Sequence, residues 1–440
     1  MRLIGHSHRY AVEQTALSLF GTHDIDATSE LRGGVAFATV NGLSASRRVD
    51  APFDTRAERY ALKVALYLAA LPQLQEPPPW GAVSGVKPTQ LAIQGADLVR
   101  DYFVTPERAA LAESTARYAR TVADGIPHGG VMLYAAIPFC PSRCAYCSFV
   151  SNSTERHAHL VSPYLDALER EIDFVSAQVA SRGERVAAVY IGGGTPTTLS
   201  AEQLRRLITR LRERFALPDG AEFTVEAGRP DTITPERLDA LQECGVTRIS
   251  VNPQTMSDRV LANIGRRHSA QDAVDAFNQA RERGFECVNM DLIAGLPGDD
   301  LEGFKRSVDV VLALEPENVT LHTLTRKRGS DWNAERVPTP GGSEVGAMLD
   351  YAFSRLRNCG LEPYYLYRQK YSAGGFENSG WTRKGFECRY NVAMMEELCS
   401  VYALGAGGAT KLVTPGGARR ITRSFNKKYP AEYIADFAAP

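Results

Sequence analysis

Residues 139–149 read FCPSRCAYCSF, placing Cys140, Cys144 and Cys147 at C-x3-C-x2-C spacing just after the strand-like run VMLYAAI (131–137). Three thiols on one short loop suit a metal. A closed structural site, however, takes four protein ligands, and no fourth cysteine follows nearby. A fully ligated [4Fe–4S] cluster takes a thiolate on each iron. One loop can wrap three corners of such a cube, and the fourth iron then keeps an open position. Zinc, with His157 or His159 as fourth ligand, is the alternative the residues leave open.

Working outward from this loop, the chain becomes regular. Further strand-like runs are VAAVYI (186–191), EFTVE (222–226), TRISV (247–251), ECVNMD (286–291) and NVTLH (318–322), with helical stretches between them. SPYLDALEREIDFVSAQV (162–179) places Leu165, Leu168, Ile172, Val175 and Val179 on one stripe. Ser200 with Gln203 forms a capping-box pair, Thr234-Pro235 and Ser269 open further helices, and Asp300 opens a later one. Six strands alternating with helices predict parallel βα units, an incomplete relative of the eight-unit barrel. The expected class is α/β, a partial (β/α)6 barrel over 127–344. An N-terminal α/β domain is expected over 1–126, with the strand GGVAFATVNG (33–42) and helices over 56–71 and 105–123. From about 345 the alternation stops, and the tail 345–440 is expected as a smaller α+β domain.

The totals bound what such a fold can do. With 440 residues, 44% hydrophobic and 23% charged, the composition is that of a globular protein of two or three domains. A formal net charge of −1 argues against a nucleic-acid-binding domain. MRLIGHSHRY (1–10) has no apolar signal core, and no run of about 18 apolar residues occurs, so no membrane span is expected. Eight cysteines are too sparse for a disulfide scaffold, which fits a reducing cytoplasm. Outside the triplet, the cysteines at 244, 287, 359, 388 and 399 are scattered singly, as small core residues are.

The loop in its wider setting, YAAIPFCPSRCAYCSF (134–149), resembles the radical S-adenosylmethionine (SAM) enzymes, and within them the oxygen-independent coproporphyrinogen III oxidase-like (HemN-like) family. YIGGGTPTTL (190–199), RISVNPQTM (248–256), IGRRHS (264–269) and NMDLIAGLPG (289–298) carry the same resemblance. TVEAGRPDTIT (224–234), YYLYRQK (364–370), ECRYNVAMMEE (387–397) and WGAVSGVKPTQL (80–91) are similar to its HemZ-type coproporphyrinogen dehydrogenases. The resemblance implies a [4Fe–4S] cluster on Cys140, Cys144 and Cys147, with SAM on the fourth iron. It further implies that Gly193, Gly194 and Thr195 face the methionine moiety of SAM. Glu226 would hydrogen-bond SAM, with Gln254, Arg266, Asp291, Tyr134 and Tyr146 as further SAM contacts. By position alone, each of these is equally well read as a turn, a loop surface or a packed side chain. Their joint placement is the independent point: the candidates fall at or after the ends of five successive strands, where barrels of parallel strands gather function.

In the tail, Tyr365, Arg368, Lys370, Arg383 and Arg389 are candidate substrate contacts. Aromatic faces and cations together suit a flat ligand bearing carboxylates, and equally a packed aromatic domain with a solvated basic surface. The resemblance implies anaerobic oxidative decarboxylation of coproporphyrinogen III to protoporphyrinogen IX in heme biosynthesis, with flavodoxin or ferredoxin as electron donor. The better-known oxidases resemble C-x3-C-x2-C-x-C, whereas Phe149 stands at the last position here. That departure leaves cluster ligation intact and weakens transfer of their substrate chemistry, including a second bound SAM. A heme chaperone and a HemN-like radical methyltransferase are the rival readings on the same scaffold. His322, ending the sixth strand, is the histidine to follow.

Overall fold

The computed structural model describes residues 1–85, 87–147, 152–325, 339–369, 371–414 and 420–437. Phe149 and Lys370 lie outside the described residues. The chain divides into two compact units, Met1–Ala116 with Leu366–Asn378, and Arg117–Tyr365 with Ser379–Pro440. This division differs from the three consecutive segments expected from the sequence.

In the first unit, strands β1 (Arg2–Ile4), β2 (Ala27–Arg32), β3 (Val35–Val40) and β4 (Leu43–Arg48) form a sheet in that order. The β3–β4 hairpin turns through Asn41 and Gly42, both at positive φ, as a two-residue hairpin turn requires. Period-two alternation buries Ala36, Ala38 and Val40 against Val12 and Ala16 of helix Arg9–Phe20. Ala61, Leu62, Ala65 and Leu66 of helix Thr55–Ala70 complete the same core. Asp54 caps that helix by accepting from the Arg56 and Ala57 N–H groups at 2.8 Å.

In the second unit, strands β5 (Gly130–Ile137), β8 (Arg185–Gly193), β9 (Glu222–Glu226), β10 (Arg248–Ser250), β11 (Cys287–Ala294) and β12 (Asn318–Thr323) lie side by side, each parallel to the next. Two short strands, β6 (Phe139–Cys140) and β7 (Asn152–Ser153), pair with each other beside the cysteine loop. Strands covered on both faces read as near-continuous apolar runs, and β5 buries every residue but Tyr134. The helix Val161–Ser181 buries the predicted stripe Leu165, Leu168, Ile172, Val175 and Val179. The capping boxes of Ser200 with Gln203 and of Ser269 with Asp272 are both present. Thr234 accepts from the Arg237 N–H and Asp300 from the Gly303 N–H, as the helix starts predicted.

The tail does not keep to itself. β13 (Glu362–Arg368), β14 (Glu377–Thr382), β15 (Val401–Leu404), β16 (Ala409–Val413) and β17 (Ile421–Phe425) extend the six parallel strands into one sheet of eleven. β14 runs antiparallel beside β12, and β15 parallel beside β5. An open sheet leaves unpaired N–H and C=O groups along both edges, and the tail supplies partners for each. The same long-range pairing explains why no boundary falls at 345.

Candidate active site

The chain positions the cysteine loop from three sides. Gly194 N–H donates to the Ile137 carbonyl at 2.8 Å and Thr195 N–H to the Phe139 carbonyl at 2.7 Å, tying the glycine-rich turn after β8 to the start of the loop. A Cβ on Gly194 would stand 2.5 Å from the Phe139 carbonyl oxygen and 3.0 Å from Cys140 Sγ, so only glycine fits. Thr195 Oγ1 donates to Cys140 Sγ at 3.5 Å. Further along, Ala145 N–H donates to the Ile264 carbonyl at 3.1 Å, and Cys147 N–H to the Cys144 carbonyl at 3.0 Å. Arg229, buried after β9, donates through Nη1 to Ser142 Oγ at 3.1 Å and to Cys144 Sγ at 3.7 Å.

Thiols that accept N–H and O–H bonds from fixed partners suit metal-bound thiolates, whose outer contacts orient them and tune the metal. Among the described residues, no group of three or more His, Cys, Asp or Glu side chains converges on a single-ion site. His157 Nδ1 lies 3.2 Å from the Ser153 carbonyl. Thiolates on separate irons of a cube stand farther apart than ligands of one ion, so the cluster reading does not need that convergence.

A second group of polar side chains lies on β8, β9, β11 and β12. Tyr190 Oη donates to Glu226 Oε1 at 2.6 Å. Burial, with the nearby Asp291 carboxylate, pushes the Glu226 carboxyl up to about 7, against the pull of Tyr190, the Gly193 N–H and His322. Asp291 lies inside β11, which runs on to Ala294, rather than closing the strand. Burial would raise its carboxyl, but His322 Nε2 at 3.4 Å and Asn289 Nδ2 at 2.7 Å hold it below the usual range. The rings of Tyr134, Tyr190 and Tyr390 stack beside Glu226, with Tyr190 and Tyr390 centroids 4.6 Å apart. Burial, with the Glu226 charge, raises the Tyr134 phenol.

Gln254 stands at φ 70°, a left-handed conformation that is costly for a residue with a Cβ. Two backbone bonds hold it there: its N–H donates to the Asp291 carbonyl and its carbonyl accepts from Ile293 N–H, both at 2.9 Å. Its buried side-chain Oε1 has no partner, an unmet acceptor of the kind a ligand satisfies. Arg266 donates through Nη1 to the Asn252 carbonyl at 2.7 Å and through Nη2 to Tyr146 Oη at 3.0 Å, and its buried Nε is likewise unmet.

Of the tail candidates, Tyr365 is linked to these groups, and Arg383 and Arg389 bond at the other ends of the strands. Tyr365 packs its ring over Gly380, and its Oη lies 3.4 Å from Thr320 Oγ1, which donates to Asn289 Oδ1 at 3.0 Å. Through Asn289 it reaches Asp291. Arg383 donates through Nε to the Pro316 carbonyl at 3.4 Å, before the start of β12. Arg389 N–H donates to Glu222 Oε2 at 2.9 Å, at the start of β9. Both therefore sit by the strand ends opposite the cysteine loop. Arg368 is held within the first unit, donating to the Val83 and Gly375 carbonyls and lying over the Trp80 ring. The turn at ALGAGGATK (403–411) is also internal: Gly405 N–H donates to Glu171 Oε2 at 2.6 Å.

The model of the radical SAM superfamily matches residues 134–311. The oxygen-independent coproporphyrinogen-III oxidase-like protein HemZ of Bacillus subtilis is 35% identical over 374 residues, spanning 81% of this chain and 74% of that protein. The chain belongs to the HemN-like, coproporphyrinogen oxidase-like family of radical SAM proteins. Other members are also similar to it. A heme chaperone HemW of Mycobacterium tuberculosis is 34% identical over 316 residues, covering 70% of this chain and 74% of that one. The solved coproporphyrinogen III oxidase HemN of Escherichia coli, a radical SAM enzyme, superposes with a TM-score of 0.57 at 26% identity, over 76% of this chain and 72% of that one.

Radical SAM proteins use a [4Fe–4S] cluster and SAM, and these are the cofactors of this chain. Its residues fit both, through the bonded thiols of the loop and the unmet acceptor and donor of Gln254 and Arg266. Reading the sequence left out Tyr190, Asn289, Arg229 and Asp231. The last two stand in the quoted TVEAGRPDTIT, where a cation and an anion flank a proline. That spacing was the one available signal of a fixed ion pair.

Proposed function

We propose that this radical SAM protein catalyses the oxygen-independent oxidative decarboxylation of coproporphyrinogen III to protoporphyrinogen IX. The observation that carries the reading is a set of polar pairs on the same sheet whose first parallel strand leads into the cysteine loop. The Tyr190–Glu226 pair and the Asp291–His322 pair each belong to adjoining strands of that sheet. Cys140, Cys144 and Cys147 would hold three irons and leave the fourth to the amino and carboxylate groups of SAM. When bound, the cluster and SAM would supply one-electron reductive cleavage of SAM and radical hydrogen abstraction at a substrate propionate.

The protein's own groups bind and orient. Glu226 accepts from ribose hydroxyls, Gly193, Gly194 and Thr195 admit the methionine moiety, and Arg266 and Gln254 bond what they now leave unmet. Tyr134 before the loop and Tyr146 within it contact SAM, and Asp291, fixed by His322 and Asn289, is a further contact. Each of two propionates then loses carbon dioxide to become a vinyl group, with an acceptor taking the remaining electron. A flavodoxin or ferredoxin serves as electron donor. Among the described residues no helix is long and apolar enough to cross a membrane.

The similarity to HemW heme chaperones gives the second reading, heme binding and transfer without tetrapyrrole chemistry. One anaerobic experiment separates them: cluster-loaded protein, SAM, reductant and coproporphyrinogen III, followed by mass spectrometry. Loss of two carboxyl groups is the expected result. SAM cleavage with an unchanged tetrapyrrole overturns it in favour of the chaperone, and S-adenosylhomocysteine among the products favours a methyltransferase.

A further inference from the structure

We infer that Arg229 is a positioning residue that sets the reduction potential of the cluster, gripping the cysteine loop and directing its guanidinium charge at Cys144 Sγ. The inference rests on the assignment of Cys140, Cys144 and Cys147 as cluster ligands. Only 3% of the Arg229 surface is exposed. Nε and Nη2 donate to the two carboxylate oxygens of Asp231 at 2.9 and 2.8 Å, a bidentate fork that fixes the guanidinium plane. The remaining nitrogen, Nη1, faces the loop, donating to the Ser142 carbonyl at 3.2 Å, to Ser142 Oγ at 3.1 Å and to Cys144 Sγ at 3.7 Å. The neighbouring cation, Arg266, spends its hydrogen bonds on Tyr146 and the Gly228 and Asn252 carbonyls, so its charge acts on Cys144 through space without a bond to the sulfur.

Reduction adds one electron, and hence one negative charge, to the cluster and its thiolates. A hydrogen bond to a ligand sulfur and a positive charge beside it stabilise the reduced form more than the oxidised form. Both are among the features that set iron–sulfur potentials. Burial away from water keeps the effect from being screened. Asp231 offsets part of the charge but lies behind the guanidinium, so the donor edge remains toward the sulfur. Lysine would keep the charge but lose the fork.

The test uses the full chain, reconstituted anaerobically, as Arg229→Met, Arg229→Gln and Arg229→Lys. Redox titration with dithionite, followed by the electron paramagnetic resonance signal of the reduced cluster, gives the midpoint potential, and iron content reports loading. The neutral variants are expected to keep their iron and titrate at a more negative potential than the parent, with Arg229→Lys between them. A loaded neutral variant at the parent potential, or above it, overturns the inference. Where Arg229→Lys alone loads, its potential decides: a value below the parent supports the inference, and a value at or above the parent overturns it. Failure of all three to load overturns it, leaving Arg229 as a loop scaffold. A Cys144→Ala variant tests the ligand assignment separately: if it keeps the parent cluster spectrum, the ligand assignment fails rather than the role of Arg229.

Discussion

Burial and the Asp291 charge raise the Glu226 carboxyl from 4.5 to about 7, and this gives the site a pH signature. A raised carboxyl favours the protonated folded state. Its contribution to stability is therefore complete below pH 4.5 and is lost as pH rises through about 7. Glu226→Gln should flatten that decline, as read by thermal unfolding of the unliganded protein from about pH 5 to about pH 8. SAM binding should run the other way, because the ionised carboxylate accepts ribose hydroxyls best. Affinity measured anaerobically should rise with pH in the parent and stay weak and flat in Glu226→Gln. A parent affinity without pH dependence would remove Glu226 from the SAM site. Gly194 offers a steric test. The Cβ of Gly194→Ala must displace backbone at Phe139, so the variant should lose about 1–3 kcal/mol and most of its reconstituted iron. Both residues were singled out in the sequence through the family resemblance, because a glycine turn or a strand-end carboxylate by position alone reads equally well as structural. Arg229 was not, since its partner Cys144 lies in a different βα unit.

At the scale of elements, the local rules held where partners are close in sequence. The cap of helix Leu301–Ala313 is an example: Asp300 Oδ1 accepts from the Gly303 N–H at 2.7 Å. Asp300→Ala should cost about 1 kcal/mol in urea unfolding without shifting the cluster spectrum. A spectral change would mean that this helix start reaches the metal loop. Strand ends were less exact. β11 continues beyond Asp291 because its pairing with β12 runs on to Ala294 and Thr323, which the alternation of polar and apolar residues does not reveal. Gln254 likewise looks like any loop glutamine in sequence, and only the bonds from β11 place it at positive φ.

In the second unit, the tail extends the sheet at both edges, and its last part is tied to helix Val161–Ser181 by Glu171. This carboxyl on helix Val161–Ser181 accepts from Gly405 N–H, from Tyr433 Oη and from Asn426 Nδ2, each at 2.6 Å. Glu171→Ala leaves three donors unmet and should cost about 2–5 kcal/mol, read from the urea midpoint. A loss under about 1 kcal/mol would show that water replaces the carboxylate and that the lock is weak.

By itself the sequence determined the six βα units, their caps and the cysteine loop, because each depends on residues within a turn or two of one another, while the kind of cluster followed from the family resemblance. Only the tertiary structure decided that β15 lies beside β5 and β14 beside β12, that Asp291 meets His322, and that Arg383 and Arg389 sit away from the cysteines. Those contacts join residues distant along the chain, where backbone pairing and charge leave no periodic trace in the order of amino acids.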